Sequence, residues 1–320
     1  MSAPPYAVTV PRGYRVGGWE VRAPLALGAF GSVYAARPVP GAGAPGTRAA
    51  LKFLATGGGR VHLRELAARE VELLSRVRAP RLIRMYETLT VDDPGRPALD
   101  GATVLVLEEA ACSLEAQLAE RQRPPDGPEL LRQVCEGLLQ LHTAGWVHSD
   151  LKPANVLLMD DGSARLADFN MAAELEGAHA YTPAFSTPDY TPPELHWPEV
   201  GERGVQIRPT ADIWAFGVLA HLVLTGSLPL PGGTATARRD AALRYARGTE
   251  ELRLSPQLPH PWRGIVADCL TRTHEERAVH EPAALLARMT DTGRRPRWSR
   301  RLPRAWRPPG IRRVRVGCVP

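Results

Sequence analysis

The sequence contains two lysines, and both stand in short strings whose residue types suit phosphoryl transfer. Of the 40 lysine and arginine residues, only Lys52 and Lys152 are lysine. Lys52 follows the glycine-containing stretch 28–33, and Lys152 lies within residues 148–155. An ammonium is a compact point charge that can contact phosphate oxygens directly, whereas a guanidinium is a larger planar fork. The two lysines therefore indicate a site for the phosphates of a nucleotide.

The string 148–155 carries the most specific chemistry in the chain. Asp150 is followed by Lys152 and then by Asn155. This set supplies a carboxylate to orient a hydroxyl, an ammonium for a transferred phosphoryl group and an amide oxygen for a metal ion. Asp168 follows after a predicted β-hairpin and offers a second oxygen ligand. The spacing is hard to explain by packing alone, so we expect these side chains to share one site.

A glycine turn and a helical glutamate complete the predicted phosphate site. Gly28 and Gly31 lie between two predicted strands and permit close approach of the backbone to phosphates, although such turns also occur in ordinary hairpins. Glu70 falls on the apolar face of a predicted amphipathic helix. We expect Glu70 to pair with Lys52, with a solvated helix carboxylate as the alternative.

The elements that must position these residues change in type along the chain. In the first third of the chain, alternation around a glycine turn predicts a β-hairpin over 20–37. Further strands are predicted over 49–54, 82–90 and 102–108, and helical spacing predicts one helix over 63–77. Helical spacing predominates later, over 130–143, 211–225, 241–247, 262–271 and 282–289. This order predicts an α+β protein with two lobes. The predicted segments are a flexible N-terminus over 1–18, a small β-rich lobe over 19–110, a larger helical lobe over 111–290 and an arginine-rich tail over 291–320.

Composition limits the class of protein. The chain has 320 residues, of which 44% are hydrophobic and 23% charged, and this balance is typical of a globular protein. Its apolar runs are too short to span a bilayer, and residues 1–14 lack the apolar core of a signal peptide. The four cysteines form no metal-type pair. We expect a cytoplasmic protein with reduced thiols and no transmembrane segment.

The positive charge is concentrated at the C-terminal end. Residues 292–320 contain ten arginines and no acidic residue, so the remainder of the chain is mildly acidic although its formal net charge is +6 overall. Trp298 and Trp306 lie among these arginines. Nucleic acid or an anionic membrane surface would suit this combination as a partner. A solvated extension without a partner is the alternative.

Taken in order, these strings resemble the signature set of protein kinases, in particular the eukaryotic-like (Hanks-type) serine/threonine protein kinases of bacteria. The resemblance covers roughly residues 19–290. Residues 186–194 look like the end of an activation segment, and residues 212–217 look like the helix that anchors the catalytic loop. The resemblance implies a two-lobed kinase fold that transfers the γ-phosphoryl group of Mg·ATP to serine or threonine hydroxyls of a protein substrate.

The resemblance also implies a role for each candidate residue. Asp150 would orient the acceptor hydroxyl, and Lys152 and Lys52 would neutralise phosphate charge, with Glu70 holding Lys52 in place. Asn155 and Asp168 would be the Mg²⁺ ligands, and Arg277 would pair with Glu194. The positions implied to bind ATP, which include Leu107 as gatekeeper and residues 108–110 as hinge, are Leu25, Ala26, Gly28, Ala29, Phe30, Gly31, Val33, Ala50, Lys52, Leu107, Glu108, Ala110 and Leu157.

Four positions depart from the family pattern. Ala26 replaces the first glycine of the loop, and Pro192 replaces an alanine. Ser149 replaces the arginine before the catalytic aspartate, which in the family holds an activation-segment phosphate, so we expect activity without that phosphorylation. Asn170 replaces the glycine after Asp168-Phe169, and we expect asparagine to tolerate the left-handed backbone there.

Two other functions remain as alternatives. The chain would be a pseudokinase, a nucleotide-binding scaffold that kept the fold, if the changes at Ser149 and Asn170 abolish transfer. It would be a kinase-like small-molecule phosphotransferase if the small residue before Asp150 reflects that related pattern. Lys152 and the strings 187–194 and 212–214 favour a protein kinase that acts on serine or threonine.

Overall fold

The computed structural model describes residues 8–28, 31–44, 46–54, 61–120, 124, 126–183, 187–196, 200–201 and 203–292. Of residues 61–64, 200 and 291–292 only the backbone is described. Two of the predicted ATP-binding residues, Ala29 and Phe30, lie outside the described residues, and so does the predicted partner-binding tail beyond residue 292.

The elements follow the predicted order, with strands first and helices later. The strands are β1 (Arg15–Val16), β2 (Trp19–Gly28), β3 (Gly31–Pro38), β4 (Ala49–Leu54), β5 (Met85–Thr90), β6 (Thr103–Leu107), β7 (Cys112–Ser113), β8 (Trp146–Val147), β9 (Val156–Leu158), β10 (Ala164–Leu166), β11 (Ala173–Glu174), β12 (Ala180–Thr182), β13 (Val200–Gly201) and β14 (Gly204–Ile207). The α-helices are α1 (Val61–Arg76), α2 (Leu114–Glu120), α3 (Gly127–Thr143), α4 (Thr210–Thr225), α5 (Ala235–Ala246), α6 (His260–Cys269), α7 (His274–Arg277) and α8 (Pro282–Thr292).

The first lobe is built on a six-stranded antiparallel sheet in the order β1-β2-β3-β4-β6-β5. Side chains alternate between the two faces of a strand, so residues aligned across the sheet share a face. Val33 aligns with Lys52, and Lys52 aligns with Leu105, which places all three on one face. Leu51 and Phe53 lie on the opposite face, in a separate apolar cluster. The alternation thus directs Lys52 away from that outer cluster.

The second lobe is organised around α4. Every residue of this helix except Leu222 is buried, as expected for a helix that is apolar all round. The helix ends at Gly226, whose φ of 75° is the left-handed conformation of a glycine cap. One continuous apolar cluster contains Trp214 of α4 and also Ala50 and Leu107 of the first lobe. The two lobes therefore share a core, and the predicted two-lobed α+β fold is confirmed.

The N-terminal segment differs from its prediction. Residues 1–18 were predicted to be flexible, yet Val10 and Val16 are only 5% and 6% exposed. The hydroxyl of Tyr34 accepts a hydrogen bond from the Val10 N–H at 3.0 Å and donates one to the Val8 carbonyl at 2.9 Å. In residues 8–18 these two valines cover the outer face of the sheet, a contact that local composition does not reveal.

Two further features have no counterpart among the predicted elements. Helix α2 begins directly after β7. A three-stranded sheet in the order β12-β14-β13 lies in the second lobe. Within the described part of the chain, no helix combines the length and apolar character needed to cross a membrane.

Candidate active site

Lys52 of the first lobe is held by two carboxylates, one from each lobe. Its Nζ lies 2.8 and 2.6 Å from Oε1 and Oε2 of Glu70 on α1, and 2.6 Å from Oδ1 of Asp168. Lys52 is 7% exposed and Glu70 is fully buried, so neither side chain is a solvated surface charge. The ion pair expected between Lys52 and Glu70 is present, and Asp168 joins it.

The environment acts differently on the three charges. Burial opposes the charge on Lys52, but the carboxylates of Asp168 and Glu70 outweigh burial and raise the pKa of the ammonium above its ordinary value. At Glu70, burial outweighs the attraction of Lys52 and raises the pKa of the carboxyl. At Asp168, whose side chain is 35% exposed, the effect of burial is overcome by Lys52, and the pKa is lowered. Asp168 is therefore the charged carboxylate that faces the cleft.

The loop that carries Asp150 is held by the first turn of α4. Asp212 is 1% exposed and accepts hydrogen bonds from the backbone N–H groups of His148 and Ser149 at 2.8 and 2.9 Å. Its Oδ2 also lies 2.8 Å from Nε2 of His142. Burial would raise the pKa of Asp212, but the hydrogen bond to His142 and its neighbours outweigh burial and lower it. Ser149 adopts a left-handed backbone with φ of 70°, so Asp212 fixes the loop at its strained residue.

Asp150 lies among three polar partners. Lys152 Nζ donates to Asp150 Oδ2 at 2.6 Å, and the Thr187 hydroxyl donates to Oδ1 at 2.8 Å. Lys152 Nζ also donates to Thr187 Oγ1 at 3.1 Å. Asn155 Nδ2 donates to the backbone oxygen of Asp150 at 2.8 Å and to Oδ2 at 3.2 Å. The structure therefore brings Asp150, Lys152 and Asn155 together as their spacing predicted.

Thr187 was not recognised from the sequence as part of this constellation. The sequence placed it only within the activation-segment string 186–194. Thr182 is 6% exposed, and its hydroxyl donates to the Met171 carbonyl at 2.9 Å, whereas Ser186 lies outside the described residues. The sequence feature that could have indicated the contact with Asp150 is the position of Thr187, just before Pro188 in the activation-segment string.

The residues around Asp168 differ from the expectation for Asn170. Asp168 itself has the left-handed conformation, with φ of 63° and ψ of 66°, whereas Asn170 belongs to the 3₁₀ turn Phe169–Met171. The expectation that Asn170 accommodates a left-handed backbone is therefore wrong. Asn170 is 2% exposed, and its Nδ2 donates to Asp168 Oδ1 at 2.9 Å. Its amide thus positions Asp168, and Lys52 donates to the same carboxylate oxygen.

The oxygen donors in the cleft fit Mg²⁺. Among the described residues, no group of three or more His, Cys, Asp or Glu side chains could hold a metal ion. Mg²⁺ does not need such a cage, because one or two protein oxygens together with phosphates and water satisfy it. Asp168 offers Oδ2, since Oδ1 accepts from Lys52 and Asn170. Asn155 offers its amide oxygen, since Nδ2 donates to Asp150.

Four of the five residues predicted to contact a nucleotide base lie in or against one apolar cluster. Ala50 and Leu107 belong to the apolar cluster that crosses the lobes, and Val33 and Leu157 pack against it. Leu25 does not, because it is 51% exposed on β2. A base bound between the lobes would give this leucine an apolar partner, consistent with its predicted place on one side of the base.

The other predicted loop and hinge positions are placed as follows. Ala26 and Gly28 are exposed on β2, and Ala26 aligns with Val33. A Cβ atom at Gly31 would lie 2.4 Å from the Phe53 carbonyl oxygen, so only glycine fits there. Glu108 follows β6, and its backbone N–H donates to the Arg84 carbonyl at 2.9 Å. Ala110 is half-buried two residues further along.

A second buried ion pair holds the end of the activation-segment string. Arg277 is fully buried and forms an ion pair with Glu194, as expected. Its Cζ lies 5.3 Å from the ring centroid of Trp214 on α4, and its Nη1 donates to the Thr271 carbonyl at 2.6 Å. The guanidinium is therefore compensated by a carboxylate, an aromatic face and a carbonyl.

Comparison with known proteins shows the family. A family model for the protein kinase domain matches residues 19–285. CBL-interacting protein kinase 4 of Oryza sativa subsp. japonica is 32% identical over 222 residues, which cover 67% of this chain and 46% of that protein. Serine/threonine-protein kinase pkn2 of Myxococcus xanthus is 30% identical over 225 residues, covering 68% of this chain and 25% of that protein. Aurora/IPL1-related protein kinase 2 of Caenorhabditis elegans is 27% identical over 240 residues, covering 74% of this chain and 72% of that protein. The chain belongs to the protein kinase family.

The matches do not extend over the whole length of most of these relatives. The chain spans less than half the length of the rice and Myxococcus kinases. The family match ends at residue 285, so it does not reach the arginine-rich tail. The matched proteins come from a plant, a nematode and a bacterium, and the bacterial branch of the family therefore stays a prediction for this chain.

Proposed function

We propose that this chain is an ATP-dependent serine/threonine protein kinase. The observation that carries the proposal is the convergence of Lys52, Glu70 and Asp168, which are distant in sequence. Lys152, the partner of Asp150, lies near enough to help lower the pKa of Asp168. A kinase must place cations and metal ligands on one side of a phosphoryl group and an acceptor hydroxyl on the other. The family membership and the names of the relatives support the same activity.

Asp150 is the group that we assign to the acceptor hydroxyl. Its carboxylate already accepts from Thr187, Lys152 and Asn155. Two of these bonds go to Oδ2 and one to Oδ1, so Oδ1 keeps a lone pair for an incoming hydroxyl. A carboxylate held in this way orients the hydroxyl and receives its proton as the new phosphate ester forms. Lys152, within 2.6 Å of the same carboxylate, would balance the charge of the transferred group.

The other side of the cleft is assigned to the nucleotide and metal. Lys52, held by Glu70, would contact phosphate oxygens, and Asp168 and Asn155 would hold Mg²⁺. When bound, Mg²⁺ supplies positive charge that stabilises the transferring phosphates. Val33, Ala50, Leu107 and Leu157 would contact the base.

Serine and threonine acceptors are favoured over tyrosine by Lys152. Its ammonium bridges Asp150 and Thr187, and the resemblance to the kinase family implies serine or threonine acceptors for a lysine at this position. Transfer to serine or threonine peptides is also consistent with the name of the Myxococcus relative. A cytoplasmic location and a protein substrate belong to the same proposal.

The proposal is tested by acceptor preference. The wild-type chain is incubated with γ-labelled ATP and Mg²⁺ and with peptides that each carry one serine, threonine or tyrosine, and in parallel with small alcohols. We expect label on serine and threonine peptides, none with Asp168→Asn, and normal transfer with the exposed control Asp161→Asn. Label on small alcohols alone would instead support a small-molecule phosphotransferase. Nucleotide binding without transfer to any acceptor would support a pseudokinase.

A further inference from the structure

A small sheet beside the active site contains none of the residues assigned to catalysis. Strand β12 lies between Asp168 and Glu194, in the segment that leads to Thr187, whereas β13 and β14 form a hairpin after Glu194. β12 pairs antiparallel with β14, with Tyr181 opposite Gln206 and Thr182 opposite Val205. The hairpin therefore adds an edge that holds the middle of the activation segment by backbone pairing.

The first position of β14 requires glycine. Gly204 has a φ of +100°, and a Cβ atom there would lie 2.5 Å from the Thr182 carbonyl oxygen. This separation is shorter than any van der Waals contact, so a side chain at 204 would push the hairpin away from β12. Gly201, in the other strand of the hairpin, would place its Cβ no closer than 3.9 Å to any described residue beyond its chain neighbours, and it has no positive φ. The two glycines form a matched pair for a test.

Side chains strengthen the same contact from both sides. Arg203 places its Cζ 4.1 Å from the ring centroid of Tyr181 and forms an ion pair with Glu176. On the opposite side, Arg69 of α1 donates from Nη1 to the Tyr181 carbonyl at 2.9 Å. Arg69 is the neighbour of Glu70, so the strand is connected to the helix that holds Lys52.

The residue that precedes Asp150 supplies no charge to the segment. Ser149 is a neutral side chain, and its backbone N–H is bonded to Asp212. A phosphate on the segment would therefore find no cation at this position, in contrast to the arginine implied by the family resemblance. Two described residues of the segment are nevertheless held without a phosphate, because the Thr182 hydroxyl of β12 donates to the Met171 carbonyl and the Thr187 hydroxyl donates to Asp150.

We propose that the hairpin 200–207 holds the activation segment in its peptide-accepting arrangement in place of a phosphate group, with Gly204 and Arg203 as positioning residues. The inference rests on the proposed kinase function. Pairing with β14 sets β12 five residues before Thr187, and Thr187 contacts the carboxylate that receives the acceptor hydroxyl. Loss of the pairing should therefore weaken the use of peptide more than the binding of nucleotide.

The test compares Gly204→Ala with the matched control Gly201→Ala in the full chain. Three quantities are measured: amide hydrogen exchange at residues 180–182, kcat/KM for a mixed library of serine and threonine peptides, and the affinity for a fluorescent ADP analogue with Mg²⁺. Gly204→Ala should increase exchange and lower peptide kcat/KM by about tenfold or more, which is the scale of misplacing a positioned group. Its nucleotide affinity should stay within about twofold of wild type, and Gly201→Ala should match wild type throughout.

Phosphatase treatment of the wild-type chain tests the second part of the proposal. The treated protein, shown by mass spectrometry to carry no phosphate on residues 168–194, should keep its peptide kcat/KM. Loss of activity after this treatment would overturn the proposal, and so would wild-type exchange and turnover in Gly204→Ala. If Gly204→Ala also loses nucleotide binding, the substitution has damaged the whole fold and Arg203→Ala decides: increased exchange at 180–182 supports the proposal, and wild-type exchange overturns it.

Failure of the kinase proposal itself would be visible separately. If the wild-type chain transfers no phosphoryl group to any peptide, the proposed function fails. The exchange measurements would still show whether the hairpin holds residues 180–182, because they need no turnover.

Discussion

Replacing Lys52 by methionine should leave a buried carboxylate without its cation, and the cost should depend on pH. Glu70 is fully buried, and its partners are Lys52 and the backbone N–H of Phe169. Without Lys52, its already raised pKa should rise further, since burial then acts with less opposition. An acid whose pKa is raised on folding holds its proton in the folded state, so stability falls as pH rises above its unfolded pKa of about 4.3.

The magnitude follows from the cost of holding that proton. At 1.36 kcal/mol per pH unit, the penalty is at most about 3.7 kcal/mol at pH 7.0 and about 1.6 kcal/mol at pH 5.5. Glutamine is a neutral isostere that still accepts from a backbone N–H, so adding Glu70→Gln to Lys52→Met should recover these amounts. Asp168 also loses its cation in Lys52→Met, but it should add little to this penalty, because its side chain is 35% exposed and stays in contact with solvent.

Urea unfolding of the two variants at the two pH values measures the difference directly. We expect Lys52→Met/Glu70→Gln to be more stable than Lys52→Met at pH 7.0, with the gap reduced by about 2 kcal/mol at pH 5.5. The wild-type chain and Glu70→Gln alone provide the reference at each pH. Equal stability of the two variants, or a gap that does not change with pH, would refute the assignment of a buried, ion-paired Glu70.

Three further predictions concern the side chains that position the site. Asp212→Asn places an amide where the N–H groups of His148 and Ser149 now donate to a carboxylate. We expect the free energy of unfolding, measured in urea, to fall by about 1–3 kcal/mol and phosphoryl transfer to be slower. Unchanged stability would contradict the anchoring role of Asp212. Asn170→Gly removes one hydrogen bond to Asp168, a proposed Mg²⁺ ligand. The Mg²⁺ concentration for half-maximal binding of a fluorescent ADP analogue should therefore rise roughly two- to tenfold. A titration identical to that of the wild-type chain would argue against a positioning role for Asn170. Thr187→Ser should keep near-normal peptide kcat, whereas Thr187→Ala should reduce it, because the hydroxyl bridges Asp150 and Lys152; equal losses in both variants would disprove this.

Much of the fold and of the cleft could be predicted because the relevant signals are local. The apolar run Ala49–Leu54, interrupted only by Lys52, and the helical spacing around Glu70 identify the two elements that carry this ion pair. The order and spacing of the strings that contain Asp150 and Asp168 then suggest a shared site. Each of these patterns lies within a few residues of the side chain concerned, so it can be recognised from the sequence alone.

The remaining features depend on contacts between distant segments. β12 contains only three residues, too few for a periodic pattern, and its partner β14 lies beyond Glu194. Val10 gave no sign that it would cover the outer face of the sheet, since that face exists only once β3 and β4 have paired. At Asn170 the expectation concerned a left-handed backbone, but Asp168 has that conformation and Asn170 belongs to the turn Phe169–Met171, which lies against α1.

The central claim is that one cleft binds Mg·ATP and that Asp150 alone directs the acceptor hydroxyl within it. The most direct measurement compares the wild-type chain with Asp150→Asn for two quantities, affinity for a fluorescent ATP analogue with Mg²⁺ and rate of label transfer to a serine peptide. We predict unchanged affinity with transfer reduced by about 10²–10⁴, the usual cost of losing a positioned base. Transfer at the wild-type rate in Asp150→Asn would contradict the account.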